Sequence, residues 1–304
     1  MKLSILIPAY NEEVSVEAVL RRVAEMDLSS LETPVALEII VVDDCSTDDT
    51  SGILTRLHGG PAEAPGEGPR QGPASPDPLS PGTPDAAGST ASAGTTTAGA
   101  ATKAAVGAPP PSTPSGNGAL SEAIPGLRVI KHRQNQGKGA AIQTALAAAT
   151  GDYVIIQDAD FEYDPADIPR LVGPVLRGEA RVVYGARPLD GSGGRWLLDF
   201  GNRALTVLTN LLYGTALHDM ETCYKLLPTA LLRSFDLECR RFDMEPEITA
   251  KVTRSGYRIH EVPISYHPRA GGKKLSIRKD GLPALQALLR YRTWFPKEPR
   301  PAQG

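Results

Sequence analysis

Two carboxylates one residue apart, Asp158 and Asp160, follow directly on the run Tyr153-Val154-Ile155-Ile156. Four strand-forming residues fill a core, and the acids emerge where the strand ends. In an open α/β sheet that is the edge at which ligands bind. Two hard oxygen donors there suit a divalent cation carrying a diphosphate, since Mg2+ takes one or two carboxylates plus phosphate oxygens. Standing alone, the pair reads equally well as a turn that caps the next helix. Company separates the two readings. Tyr10 and Glu12, Asp43 and Asp44, and Arg187 each follow another apolar run of the same kind. If those runs are parallel strands, all four groups face one crevice.

The elements that would position these side chains follow from periodicity. Leu3 to Ile7 predicts a first strand that leaves through Pro8-Ala9-Tyr10. Asn11 is placed to cap a helix with Glu12 and Glu13 in its first turn. Val16, Val19, Leu20 and Val23 recur at helical spacing to about Met26. Glu38 to Val42 predicts strand two, after which Ser46 or Thr47 caps a helix reaching about Leu57. Arg128 to Lys131 is strand three. Gln136-Gly137-Lys138-Gly139 then opens an Ala-rich helix to about Ala149, closed by Gly151. That loop lacks the Walker spacing; it reads either as a phosphate-facing turn or as glycines permitting close helix packing. Asp164-Pro165 starts a further helix, and Val182 to Tyr184 makes a short strand before Gly185-Ala186-Arg187. Alternating strands and helices predict an α/β fold, a mostly parallel sheet flanked by helices.

Composition narrows the class. The chain has 304 residues with a formal net charge of −3, an ordinary globular profile with no basic excess for nucleic acid. Cys45, Cys223 and Cys239 are dispersed, which fits a reducing, cytoplasmic setting and argues against a disulfide framework or zinc site. The amino terminus reads as a strand rather than a secretory signal. No stretch reaches the roughly 18 to 20 apolar residues that a membrane span needs. Residues 59–118 hold 12 Pro and 12 Gly among Ala, Ser and Thr. Leu79 and Val106 are their only sizeable apolar side chains, so the segment predicts a disordered insertion. It should leave from the sheet edge opposite the acids, as a spacer rather than a lid. From Leu282 to Phe295, Leu285, Leu288, Leu289, Trp294 and Phe295 alternate with Arg290 and Arg292, an amphipathic pattern. Such a helix packs on the domain or lies on an anionic bilayer, giving peripheral contact at the inner membrane face.

With these residues assembled, the chain resembles the family-2 glycosyltransferases of GT-A, Rossmann-like fold, most closely the dolichol- or polyprenyl-phosphate mannosyl- and glucosyltransferase branch. The resemblance rests on Pro8-Ala9-Tyr10-Asn11-Glu12, Val41 to Asp48, Asn135 to Gly139, Gln157-Asp158-Ala159-Asp160, Gly185-Ala186-Arg187, Glu221 to Leu226 and Glu261 to Tyr266. It spans nearly the whole chain outside the insertion, in order. It implies a single catalytic domain of residues 1–58 plus 119–277, with the insertion at 59–118 and an amphipathic tail at 278–304. It also implies an inverting hexosyltransferase using a nucleotide-sugar donor of GDP-mannose or UDP-glucose type. The acceptor would be a polyprenyl-phosphate lipid or else a hydroxyl.

By motif position, Pro8, Tyr10, Glu12, Val42 and Asp44 would line the nucleotide, with Lys138, Asp158 and Ala159 beside the donor. Asp158 and Asp160, with Glu162 as a further candidate, would hold Mg2+ or Mn2+, the Lewis acid for the leaving diphosphate. Glu162 reads equally as a solvated acid. Arg187 would face the sugar phosphate or acceptor. Arg269 and Lys274 match a flexible loop of the family that could fold over the diphosphate, although the loop is one residue shorter and Lys273 stands where Ser is usual. Cys45 likewise replaces a common Gly. A phosphate acceptor needs no base; a hydroxyl acceptor does, and Asp219, Glu221, Glu245 and Glu247 are candidates. A nucleotidyltransferase would share the sheet but carry a Gly-rich loop after strand one. A non-catalytic sugar-nucleotide binder would be expected to lose Asp160.

Overall fold

A computed structural model describes residues 1–65, 123–188, 196–241, 243–268 and 281–296. Its centre is a seven-stranded sheet in the order β3-β2-β1-β4-β6-β5-β7. The strands are β1 (Lys2–Ala9), β2 (Ala36–Asp43), β3 (Leu127–Lys131), β4 (Tyr153–Ile156), β5 (Val182–Ala186), β6 (Lys225–Pro228) and β7 (Ile259–Pro263). β1 lies parallel to β2 and to β4, with Leu6 opposite both Ile40 and Ile156. β6 alone is antiparallel, wedged between β4 and β5. Because two reversals cancel, β5 again points the same way as β4, and β7 follows it. The carboxyl ends of β1, β2, β4 and β5 therefore share one edge. The chain winds outward in opposite directions on either side of β1, so the crevice between β1 and β4 is a topological switch point.

Leu3, Ile5, Leu6 and Ile7 of β1 are all wholly buried, as a central strand covered on both faces requires. Each such burial contributes roughly 1.5 to 3 kcal/mol. Helices α1 (Val16–Ala24), α2 (Thr50–His58), α3 (Lys138–Ala148), α4 (Ile168–Leu176), α5 (Trp196–Tyr213), α6 (Thr229–Ser234), α7 (Met244–Arg254) and α8 (Leu282–Arg290) flank the sheet. In α3 the buried face is Gly139, Ala140, Ala141, Ile142, Ala145 and Leu146, and its glycine and alanines let the helix lie against β1 and β2.

Several local expectations are corrected. Helix α1 starts at Val16 and not beside Asn11, which takes φ +54 and accepts from the Thr47 N–H at 2.8 Å. Its side chain ties two loops together instead of capping. Helix α2 likewise starts at Thr50, because the Ser46 Oγ accepts from the Asn11 N–H instead. Cys45 holds φ +64, so the left-handed turn that suits glycine is kept by a cysteine. Asp164 does cap, accepting from the Ala166 N–H at 3.0 Å.

The chain after α2 also departs from expectation. Gly59, at φ +76, reverses it, and Glu63 then pairs in parallel with Ile130 on the open edge of β3. The Glu63 N–H donates to Val129 O at 2.7 Å, and Arg128 grips the Glu63 carboxylate. The described fold thus continues past residue 58, and at residue 65 the chain is heading toward the edge that carries the acids. It returns at the opposite edge, where the Ile124 N–H donates to Leu57 O. Residues 66–122 lie outside the described residues, as do 278–280 and 297–304 of the tail. The remaining tail packs: Ala284, Ala287, Leu288 and Tyr291 are buried, and Trp294 meets Phe235 edge-on at 5.8 Å. Among the described residues no helix is long and apolar enough to cross a membrane.

Candidate active site

Strand β4 delivers Asp158 and Asp160 to the switch point. The intervening Ala159 is buried, Asp158 is partly open and Asp160 is 8% exposed. The Asp160 Oδ1 accepts from the Glu162 N–H at 3.0 Å. Opposite stands Lys138, the first residue of α3, whose Nζ lies 2.9 Å from Asp158 Oδ1 and 3.0 Å from Glu245 Oε1. Burial alone would lower the Lys138 pKa, but Asp158, Cys223 and Glu245 together hold it well above its ordinary value. A fixed cation thus sits beside the paired acids.

The position of Lys138 is built by its neighbours. A Cβ on Gly137 or Gly139 would come within 2.5 Å of the carbonyl oxygens of Arg240 and Cys239. Both glycines are therefore needed for that backbone to lie on the start of α3, where the Ala140 N–H donates to Arg240 O. Asp44 fixes the turn from below. Its carboxylate accepts from the Gln136 N–H at 2.9 Å and the Gly137 N–H at 2.7 Å, and meets His132 Nδ1 at 2.7 Å. Sequence reasoning placed Asp44 on the nucleotide; here it is buried and holds the Lys138 turn. His132, buried and bound also to Thr144, was missed. A lone histidine after a strand carried no signal without its partner eighty-eight residues away.

The remaining candidates divide. Pro8 and Tyr10 leave β1 toward the crevice, Tyr10 being 44% exposed. Glu12 is nearly buried, and its Oε2 accepts from the Ser15 hydroxyl at 3.0 Å. Val42 is wholly buried, so its side chain belongs to the core rather than to a ligand surface. Glu162 directs one oxygen at the Tyr266 hydroxyl, 3.1 Å away. Arg269 and Lys274 lie outside the described residues. His267 is exposed and gives its backbone N–H to Glu162 O.

On the β5 side Arg187 forks onto Asp219, Nε to Oδ2 at 2.6 Å and Nη2 to Oδ1 at 2.8 Å, with the Tyr266 ring 5.2 Å beyond. Burial would lower the Arg187 pKa, yet it stands well above the ordinary value because Tyr163 and Asp219 favour the cation. Asp219 also takes backbone support, its own N–H donating to Glu261. Glu247 is turned elsewhere. It is wholly buried, pairs with Lys251 at 2.5 Å and accepts from the Glu238 and Cys239 N–H groups. Neither acid is placed to take a proton from an acceptor. Glu221 and Glu245 remain: the buried Glu221 Oε1 and Glu245 Oε2 have no hydrogen-bond partner among the described residues.

No group of three His, Cys, Asp or Glu side chains is gathered as a metal cage among the described residues. A pair of carboxylates is still the protein's usual share where a diphosphate supplies the other oxygens.

The model of the family described as "Glycosyl transferase family 2" matches residues 4–64 and 110–233. The chain belongs to glycosyl transferase family 2. Among the relatives it matches is the low-salt glycan biosynthesis hexosyltransferase Agl6 of Haloferax volcanii, 28% identical over 157 residues, 50% of this chain and 38% of that protein. The dodecaprenyl-phosphate galacturonate synthase of Rhizobium johnstonii is 25% identical over 272 residues, 90% of this chain and 61% of the relative. The chain spans 38% to 62% of the length of the curated relatives it matches. In structure it is similar to glucosyl-3-phosphoglycerate synthase from Mycobacterium tuberculosis, crystallised with Mn2+, UDP and glucosyl-3-phosphoglycerate. That likeness has a TM-score of 0.57 at 20% identity and covers 98% of this chain and 81% of the other. It shows the GT-A fold.

Proposed function

We propose that this family-2 enzyme transfers a hexosyl group, with inversion, from a nucleotide-sugar donor to an anionic polyprenyl phosphate. The observation that carries the reading is the convergence of Asp158, Asp160 and Lys138 at the switch point, with the Arg187–Asp219 pair on its far side. Paired acids with a cation 2.9 Å from one of them suit a metal-bound diphosphate, and an oriented guanidinium suits a second phosphate. The lipid phosphate is favoured by the name of the dodecaprenyl-phosphate galacturonate synthase, which is similar along most of this chain.

Asp158 and Asp160 would hold Mg2+ or Mn2+, with Glu162 a weaker candidate because Tyr266 engages it. When bound, that ion offsets charge on the departing diphosphate. Lys138 neutralises the same region from a fixed position, and Pro8, Tyr10 and Glu12 border the nucleotide side. Arg269 and Lys274 belong to the reading as cations that close over the donor. In the transfer, an anionic acceptor oxygen forms a bond to the anomeric carbon. The bond from that carbon to the diphosphate oxygen breaks on the opposite face, and its electron pair leaves with the nucleoside diphosphate. No proton has to move.

The test is direct. Purified full chain is incubated with Mn2+, a panel of UDP- and GDP-hexoses and a short-chain polyprenyl phosphate, and the organic phase is analysed by mass spectrometry. A lipid carrying one hexose phosphate is expected. Transfer to polyprenol or water from the same donors, with none to the phosphate, would overturn the acceptor assignment.

A further inference from the structure

We propose that Tyr266 is a positioning residue for the acceptor: its ring carries one face of the Arg187 guanidinium, so that the free edge of the fork is presented to an anionic acceptor oxygen. The inference rests on the phosphate acceptor argued above.

A guanidinium offers five N–H groups in one plane. In Arg187 the Nε donor and one donor on Nη2 are spent on Asp219, at 2.6 and 2.8 Å. The Cζ lies over the Tyr266 ring, 5.2 Å from its centre, within the range of a cation–π contact. Nη1 makes no hydrogen bond among the described residues, and the side chain stays 9% exposed. With one edge taken by Asp219 and one face by Tyr266, the Nη1 edge is what remains for a ligand. The two partners do different work. Asp219 fixes which edge is used up, whereas the ring fixes the plane in which the fork lies. A phosphate oxygen meets a planar fork well only when that plane is set.

Tyr266 is itself held firmly enough to set it. Two residues earlier, the Ile264 N–H donates to the carbonyl of Ala186, the neighbour of Arg187, at 3.1 Å. Tyr266 pairs with Tyr163 as an antiparallel bridge, and the two rings meet edge to face at 5.5 Å. Tyr163 is buried, and its hydroxyl accepts from the Cys223 N–H at 3.0 Å. On the other side the Tyr266 hydroxyl donates to Glu162 Oε2 at 3.1 Å, and the His267 N–H donates to Glu162 O at 2.9 Å. The ring therefore reaches from the loop that carries the paired acids to the guanidinium after β5. Its contact with Arg187 needs the aromatic face and not the hydroxyl, which makes the role separable from simple filling of space.

Tyr266→Phe keeps the face and drops the hydroxyl; Tyr266→Leu keeps apolar bulk and drops the face. Both are purified as full chain, checked by thermal melting and titrated with a short-chain polyprenyl phosphate by calorimetry. Donor and acceptor KM are measured with a hexose donor that wild type uses. Tyr266→Leu should bind the polyprenyl phosphate about fivefold or more weakly, the size of a lost cation–π contact. Its acceptor KM should rise in step, with the donor KM within about twofold. Tyr266→Phe should bind the acceptor within about twofold of wild type. If Tyr266→Leu melts well below wild type, Tyr266→Met takes its place in the same comparison. Wild-type acceptor affinity without the ring, equal weakening of donor and acceptor, or a Tyr266→Phe variant as weak as Tyr266→Leu would overturn the assignment. If wild type binds polyprenol but not the phosphate, the function proposed above fails and this assignment falls with it. That outcome is read from wild type alone, before any variant is compared.

Discussion

Arg187 and Asp219 meet as a two-pronged pair, with N–O distances of 2.6 and 2.8 Å and neither side chain more than 9% exposed. The pair fixes the direction of the guanidinium and occupies both Asp219 carboxylate oxygens; in the proposed function it would aim Arg187 at the acceptor. Asp219→Asn keeps the shape but sets an amide donor against a donor. Breaking a buried pair in this way should cost about 3 to 5 kcal/mol of stability. In molecules that fold, kcat/KM for the acceptor should drop about tenfold or more, because the fork is no longer oriented. Parallel melting and acceptor kinetics check both. Unchanged acceptor kinetics in folded protein would show that Arg187 does not depend on Asp219 for its role.

At the far edge of the sheet, Glu38 accepts from the Ser4 hydroxyl, the Thr150 N–H and hydroxyl, and Lys2. Burial alone would raise its pKa, but these bonds bring it from 4.5 down to about 2. A depressed folded value means the stabilisation is complete above the unfolded pKa and is lost as pH falls from about 4.5 toward 2. Glu38→Gln should therefore lower stability by about 2 to 3 kcal/mol at pH 7. The gap to wild type should close on acidification. Urea melts at pH 7, 4.5 and 3 measure it; a gap that stays constant would contradict the linkage.

Cys45 sits at φ +64 in the turn after β2. A side chain in that region costs about 1 to 2 kcal/mol, against which glycine loses more entropy on folding. Cys45→Gly should leave the melting temperature unchanged or slightly raised, whereas β-branched Cys45→Val should lower it by several degrees. A large loss in Cys45→Gly would mean that the contact from its Sγ to Arg133 O matters more than the backbone.

The tail bears on membrane contact differently from its sequence pattern. Trp294 packs on Phe235, and its ring lies 5.5 Å from the Lys251 ammonium, so its removal should destabilise the domain. Leu289 and Phe295 are 53% and 69% exposed. If the enzyme rests on an anionic bilayer, Leu289→Ala/Phe295→Ala should reduce flotation with phosphatidylglycerol vesicles while leaving the melting temperature within a degree or two. Equal flotation would remove these residues from any membrane contact.

The course of β1 to β5 was legible because each strand is an apolar run ending in a polar group, and that pattern has a direct physical cause. The antiparallel β6 was not. Lys225-Leu226-Leu227-Pro228 is too short to announce a direction, which is fixed by pairing with both β4 and β5. Caps were misplaced for a related reason. Asn11, Ser46 and Thr47 are good capping types, but here they bind one another across two loops. Among site residues, Asp44, named from its strand end and motif position, holds backbone N–H groups, and Glu247, named as a carboxylate, holds a neighbouring lysine. Asp158 and Lys138, which meet at the switch point, and Asp160 beside them were likewise named from their places at strand or helix ends. What sequence could not supply was partnership across about 90 residues or more, as between His132 and Asp44 or Lys138 and Glu245.

In the proposed function this crevice binds a metal-chelated nucleotide sugar through Asp158 and Asp160. Titration calorimetry of the full chain with UDP- and GDP-hexoses, with and without Mn2+, tests it most directly when repeated on Asp160→Ala. Saturable binding of at least one donor is expected, tightening about tenfold or more with Mn2+, with the gain vanishing in a variant whose melting temperature without metal is unchanged. Binding that is the same with and without Mn2+, or a metal-dependent gain that survives in Asp160→Ala, would contradict it.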